Sequence, residues 1–484
     1  MKYRAIVNNN IVKSRNLSNF SAKISYFFMC YAWIFDFRSE GAGSSFATQQ
    51  FFIIIYLVSF LNFFVSYTNI GVKIRGLSIT ILLSLLFILI GTVSGLLADQ
   101  DYYLIFRNAA NIFIYLTMVY ATSKIIVSYG QQKLVDYFIL MTFLYSVSTF
   151  IIYYIRQGGI DFQTVRYQII GSSTIAASAL IFLSIIYRIP LLGYVAIISS
   201  SVIIFVSVTR SYIIIAISQS FPFIRNIRTV AGIREIILAF LLITSIPSIY
   251  IYTEFVSNRW TERISARSNA EDIDPTLYAR IDEWTFMINE TFKSPVNVFF
   301  GSGFAAETEY YLPDDISKSR ESDIGYGHSN HLSLIFIAGF FGGGPLLILH
   351  FLQFIASFRF IGSVIRGRIK DSDVLFLGAW GSLIIIGTFV GNILASTFTN
   401  RSTSLWYAIG TGLFLGGRAC FDPQNRHILL SSMPNFYTQL AIVRRRARPI
   451  AQSNRQRADL DSKELPAAVI RRRRALAPHS EGAA

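Results

Sequence analysis

The chain has 484 residues, 53% of them hydrophobic and only 15% charged, with a formal net charge of +15. A soluble domain carries nearer roughly a quarter charged residues, whereas here apolar runs long enough to cross a hydrocarbon core of ~30 Å recur from end to end; the composition excludes a soluble enzyme and points to a multi-pass membrane protein. The basic excess is not a nucleic-acid signal, because residues 254–329 hold about fourteen acids against seven bases and residues 418–484 about thirteen bases against five acids, the sorting of Lys and Arg that sets membrane topology.

Twelve spans are predicted, at roughly 21–37, 51–70, 76–98, 102–123, 136–155, 169–187, 190–209, 211–224, 235–253, 330–357, 374–396 and 402–417. The sixth and seventh are separated only by Arg188-Ile189-Pro190, and the eighth is short and contains Pro222. Residues 1–23 are polar and basic, and no cleavable signal peptide is expected. Four regions follow: an N-terminal bundle at 1–253, a polar loop at 254–329, a C-terminal group of helices at 330–418 and a basic tail at 419–484. The expected fold is an all-α membrane protein with one large periplasmic loop containing short helices.

The charges agree with this count. The basic N-terminus, Lys73 and Arg75, Lys124 and Lys133, Arg188, Arg225 to Arg234, Arg359 to Lys370 and the tail all fall on one side, which the positive-inside rule makes cytoplasmic, together with both termini. Asp99, Asp101 and the acidic loop fall on the other. The tail, with Arg444-Arg445-Arg446 and Arg471 to Arg474, suits the anionic inner leaflet. Cys30 and Cys420 sit at or near apolar spans without metal-ligand spacing and read as packing residues.

Within the loop, Asp274-Pro275 begins a helix to about Phe292, with Leu277, Ile281, Trp284 and Ile288 at helical spacing and Arg280 close to Glu283. Lys293-Ser294-Pro295 stops it, and Phe299-Phe300-Gly301-Ser302-Gly303-Phe304 forms a glycine-hinged turn. This Gly-x-Gly is no nucleotide fingerprint, since no βαβ unit surrounds it. Residues 305–326 are acidic and aromatic; Tyr310, Tyr311 and Tyr326 could face sugar rings or simply line a solvated loop.

The outward rim carries the chemistry. Arg166, Arg210, Arg280, Arg401, His328 and His331 all fall on that side, whereas His350 lies deep in the tenth span. A neutral imidazole can take a proton from an attacking hydroxyl. Arginine grips phosphate through paired hydrogen bonds, and near lipid several together imply an anionic ligand. Arg210 and Arg401 taken singly read more readily as residues snorkelling to headgroups than as ligands. A metal on the His-x-x-His pair is a minor alternative, because further Asp, Glu or Cys ligands are not arranged nearby.

In these elements the chain resembles the O-antigen ligase and Wzy-type polysaccharide polymerase superfamily, membrane glycosyltransferases of bacterial envelopes. The resemblance rests on Thr209-Arg210-Ser211, on Arg166 ahead of Gly171, and on Arg280 followed by Trp284, Pro295 and Phe300-Gly301-Ser302-Gly303. It extends to His328 through Leu332 to Gly339 and Gly342. It departs at Ser329, where the family has asparagine; Asn330-His331 follows, so His331 is an alternative to His328.

The resemblance implies a GT-C-like bundle in the inner membrane and transfer of oligosaccharide from an undecaprenyl-diphosphate carrier to a growing glycan, with neither metal nor cofactor. Arg210 and Arg280 would bind diphosphate and His328 would act on the acceptor; Arg166, from the upstream arginine-glycine element, and Arg401, from its place on the outward rim alone, are the further candidate substrate-binding residues. Membrane lipids, and a chain-length regulator where the product is a polymer, are the further partners; nucleic acid is not. A polymerase is favoured over a ligase acting on lipid A core, and a flippase of the same lipid-linked sugar is the rival of another class.

Overall fold

A computed structural model describes residues 20–33, 46–66, 72–129, 133–157, 173–187, 189–206, 210–225, 275–311, 320–324, 326–366, 373–399 and 401–425. The expected span at 235–253, Arg166 and the basic tail lie outside these residues. The described chain is mostly helical. Its N-terminal elements are α1 (20–31), α2 (Phe46–Ser66), α3 (Leu77–Leu97), α4 (Tyr102–Tyr129) and α5 (Lys133–Gln157). They are followed by α6 (Thr174–Ser184), α7 (Leu191–Val206) and α8 (Arg210–Arg225).

The loop then supplies α9 (Pro275–Phe292), α10 (Pro295–Phe300), β1 (Glu307–Tyr311) and β2 (Arg320–Ile324). The C-terminal group is α11 (Asn330–Ala338), a π-helical step (Gly339–Gly343), α12 (Gly344–Arg366), α13 (Asp373–Gly391) and α14 (Arg401–Cys420). Three stretches are long and apolar enough to cross a membrane, Leu77–Leu97, Tyr102–Ser128 and Asn330–Arg366, and several shorter apolar helices accompany them. These mark a helical membrane protein.

The core sits around α14, buried along nearly its whole length and packed between α4 and α13. Polar side chains inside the bundle find partners across helices: Tyr26 and Thr122 hydroxyls lie 2.7 Å apart, and the Trp380 indole N–H donates to the Ala176 carbonyl at 2.8 Å. Such pairing is needed where no water can satisfy a polar group. Cys30 and Cys420 are both buried, free thiols.

The two ends of α3 are fixed by different parts of the chain. At its N-terminal end, Arg75 pairs with Asp422 at 2.8 Å and Asn425 donates to the Lys73 carbonyl at 2.8 Å, which ties the α2–α3 connection to the end of α14. At its C-terminal end, Ser94 donates to the Phe300 carbonyl and Gln100 to the Ser302 carbonyl, both from the loop. The basic connection and the polar loop therefore occupy opposite ends of one span.

Two expectations are corrected here. The all-α expectation gives way in the loop, which holds its short helices but also a strand pair: residues 307–311 and 320–324 run antiparallel, with Glu307 facing Ile324 and Tyr311 facing Arg320. Local pattern could not reveal it, because the two strands are polar and are stabilised by pairing with one another. The long helix expected to end near 357 continues to Arg366, and it is interrupted at Gly339–Gly343, where Gly339 adopts a φ of 58°. A π-helical step of this kind shifts the backbone hydrogen bonding and leaves carbonyls open to other partners.

Candidate functional site

The start of α11 is braced from two sides. From the turn that follows α13, the Asn392 carbonyl accepts the Asn330 N–H at 3.0 Å, and the Ser396 hydroxyl donates to the Asn330 side-chain oxygen at 3.0 Å. From the loop, α9 presents Glu283. That carboxylate is fully buried, with 0% exposure. Its Oε2 accepts the His328 backbone N–H at 2.9 Å and faces His328 Nδ1 at 3.0 Å, while its Oε1 accepts the Thr308 hydroxyl at 3.1 Å. A buried charge is costly unless it is paired and fully hydrogen-bonded, and here β1, α9 and the head of α11 cooperate to do this.

This arrangement orients the imidazole. An ionised carboxylate only accepts hydrogen bonds, so the proton of a neutral His328 resides on Nδ1 and the lone pair on Nε2. The side chain of His328 is 34% exposed. Gly327 leaves room for the carboxylate, since a Cβ there would lie 2.6 Å from Glu283 Oε1. A carboxylate that holds an imidazole through Nδ1 is an arrangement found on unrelated folds.

Arg280 lies on α9 three residues before Glu283 and is half-buried. Side chains three apart on a helix are neighbours at ~5–6 Å between Cβ atoms, so the guanidinium and the Glu283–His328 pair share one helical face region. The structure brings Glu283 and His328 together, with Arg280 one turn before Glu283 on α9.

The other predicted residues behave differently. His331 turns toward α13, where its Nε2 sits 3.0 Å from the Phe389 carbonyl and its ring packs on Phe389. A carbonyl only accepts, so Nε2 carries the proton; Nδ1 is buried. Among the described residues it has no hydrogen-bond partner. His328 and His331 therefore face different elements, which disfavours a shared metal. Arg401 begins α14 and is 7% exposed, with its guanidinium carbon 5.3 Å from the centre of the Trp33 ring. A guanidinium over an indole face is held by cation–π attraction, so Arg401 is packed into the bundle. Arg210 begins α8, but its side chain, like all of Arg166, lies outside the described residues.

Tyr326 is not a sugar platform. It is 3% exposed and packs against Phe304 and Phe398, and burial raises its phenol well above the ordinary range. His350 is fully buried among Tyr115, Phe398 and Tyr407. Glu283 is the residue whose part in the site the sequence reading did not identify; its spacing from Arg280 was visible, but its partner His328 stands 45 positions away.

No protein-family model and no curated protein matches this chain.

Proposed function

We propose that the protein is a metal-independent glycosyltransferase of the bacterial inner membrane, a twelve-span polysaccharide polymerase with its loop in the periplasm. It would move oligosaccharide repeat units from undecaprenyl diphosphate to a sugar hydroxyl of the growing glycan. The observation that carries this reading is the buried Glu283 carboxylate holding the His328 imidazole, one helical turn from Arg280.

His328 Nε2 takes the proton from the acceptor hydroxyl as that oxygen attacks the anomeric carbon. The bond from the anomeric carbon to the phosphate oxygen breaks, and the lipid diphosphate leaves with the electron pair. Arg280 stabilises the charge that develops on the leaving group, with Arg210 and Arg166 as the further arginines the resemblance implies. Glu283 stabilises the imidazolium formed on His328. Each role is supported by residue chemistry and by the proximity of α9 to the head of α11.

Purified protein supplied with a single lipid-linked repeat unit and no other acceptor tests the assignment. Long products support a polymerase. Products formed only when lipid A core is added indicate a ligase. In cells, repeat units trapped on the cytoplasmic face after loss of the protein indicate a flippase instead.

A further inference from the structure

Helix α9 exposes several large apolar side chains. Its inward stripe is Ala279, Glu283, Met287 and Thr291, all buried, and it includes the carboxylate. Its outward face carries Tyr278, Ile281, Ile288 and Phe292, all well exposed, with Phe292 at 63%, beside the exposed Thr285 and Asn289. The spacing of these apolar residues is that of a continuous helical face. Helix α10 extends the apolar surface with Val296, 65% exposed, and Phe299.

The surface continues onto a span. Phe299 stacks on Phe341 at 5.0 Å between ring centres, and Phe292 approaches Phe340 at 6.4 Å. Phe340 and Phe341 are themselves exposed and belong to the long stretch Asn330–Arg366. Helix α9 runs alongside α11 in the same direction: Glu283 meets His328, Met287 meets Ser333, and Phe292 meets Phe340.

Helix α3 serves as a ruler for depth. The Ser94 hydroxyl donates to the Phe300 carbonyl at 2.8 Å, and the Phe304 N–H donates to the Gly91 carbonyl at 3.3 Å. These positions lie three and six residues before the end of α3 at Leu97. At a rise of ~1.5 Å per residue the turn hangs about 5–9 Å below that end. This is about the depth, ~5–10 Å, at which the apolar face of an interfacial helix lies.

The turn itself is built for a medium without water. Every backbone N–H from Gly301 to Ala306 donates to a protein acceptor, including Ser302 to the Phe336 carbonyl at 2.7 Å and Gly303 to the Ile337 carbonyl at 2.9 Å. The carbonyls of Phe300, Ser302 and Phe304 accept from Ser94, Gln100 and Asn108. Irregular backbone survives at membrane depth only where protein groups satisfy it in this way. Gly303, at a φ of +94°, allows the approach: a Cβ there would stand 2.5 Å from Gly95 Cα. At the corner between α9 and α10, Lys293 pairs with Glu290 at 3.0 Å, so this cation is neutralised by a carboxylate of α9.

We propose that α9, α10 and the glycine turn form a re-entrant wedge in the leaflet nearest the site, with Ile288, Phe292, Val296 and Phe299 against lipid acyl chains. The wedge anchors the helix that carries Arg280 and Glu283, so the site is held at the bilayer surface. This inference is independent of the transferase reading.

The test uses the full chain with Cys30 and Cys420 replaced by alanine. A single cysteine is placed at Val296 or, as a second reporter, at Phe299, and is labelled with an environment-sensitive fluorophore. Leu89→Cys on α3 and Glu307→Cys on β1 serve as the lipid and water references. In phosphatidylcholine vesicles containing nitroxide-labelled lipid, the Val296 and Phe299 reporters are expected to lose most of their emission, as Leu89 does, and to resist aqueous iodide. Quenching by iodide at the Glu307 level overturns the proposal. Protection from both quenchers also overturns it, since protein would then cover the surface.

Discussion

Replacing Glu283 by glutamine isolates the charge from the geometry it supports. The Oε2 position must stay an acceptor, because the His328 N–H and Nδ1–H converge on it at 2.9 and 3.0 Å. The amide nitrogen of Glu283→Gln therefore takes the Oε1 position, where the Thr308 hydroxyl, 3.1 Å away, can turn to accept. The imidazole keeps its place and its tautomer, and only the negative charge is lost. Hydrogen bonds to a charged group are worth ~1.5–3 kcal/mol and neutral ones ~0.5–1.5 kcal/mol. The imidazolium that forms during transfer thus loses about 1–1.5 kcal/mol of stabilisation, and at ~1.4 kcal/mol per tenfold this lowers kcat about 5- to 12-fold with KM little changed. Glu283→Ala removes the orientation as well and should cost ~100-fold or more, the lower end of what a positioned base supplies. The assay is turnover of a lipid-linked oligosaccharide by purified protein, normalised to the folded fraction. If Glu283→Gln turned over at the wild-type kcat, or if its deficit matched its loss of folded protein, the argument for an orienting carboxylate would be refuted.

Other substitutions probe the same framework. Gly327→Ala brings a methyl group within 2.6 Å of Glu283 Oε1 and should displace the carboxylate, reducing kcat by about tenfold or more, since ~1.4 kcal/mol suffices; unchanged kinetics would show that the site tolerates the shift. Thr308→Val leaves one oxygen of the buried carboxylate without its hydroxyl partner and should lower stability by about 1–3 kcal/mol in a denaturation measurement. Arg280→Lys retains the charge but loses the planar fork, and donor KM should rise by about tenfold, with a smaller change in kcat. Gly303→Ala combines a left-handed backbone, costing ~1–2 kcal/mol, with overlap against Gly95, so it should lower the thermal stability of the folded protein measurably.

Most helices were legible because burial in a membrane bundle imposes long apolar runs, and the predicted 76–98 and 102–123 correspond to Leu77–Leu97 and Tyr102–Tyr129. The loop helix was equally clear, since Asp274-Pro275 and Lys293-Ser294-Pro295 are local signals at either end of Pro275–Phe292. Its outward face was not legible. Periodicity places Ile281 and Ile288 on one side but cannot say whether that side meets protein, lipid or water. The same limit explains Tyr326, whose aromatic ring was compatible with a sugar surface until Phe304 and Phe398 were found packed against it.

Long-range pairing hid the rest. Arg280 and Glu283 are adjacent on their helix, but the bond from Glu283 to His328 joins segments separated by the β1–β2 hairpin. The histidine pair looked convergent at the level of helical spacing. One imidazole instead meets a carboxylate on α9 and the other a carbonyl on α13, so each orientation depends on a neighbouring element. Arg401 likewise looked outward by its place at a span end, yet it lies over Trp33 from the distant helix α1 region.

A single-turnover reaction of the His328→Ala protein with a lipid-linked oligosaccharide, together with a parallel measurement of donor binding, bears most directly on the assignment of His328 as the base. The expected result is retained donor affinity with transfer slowed by ~100-fold or more. Transfer at the wild-type rate by a folded His328→Ala protein would contradict it.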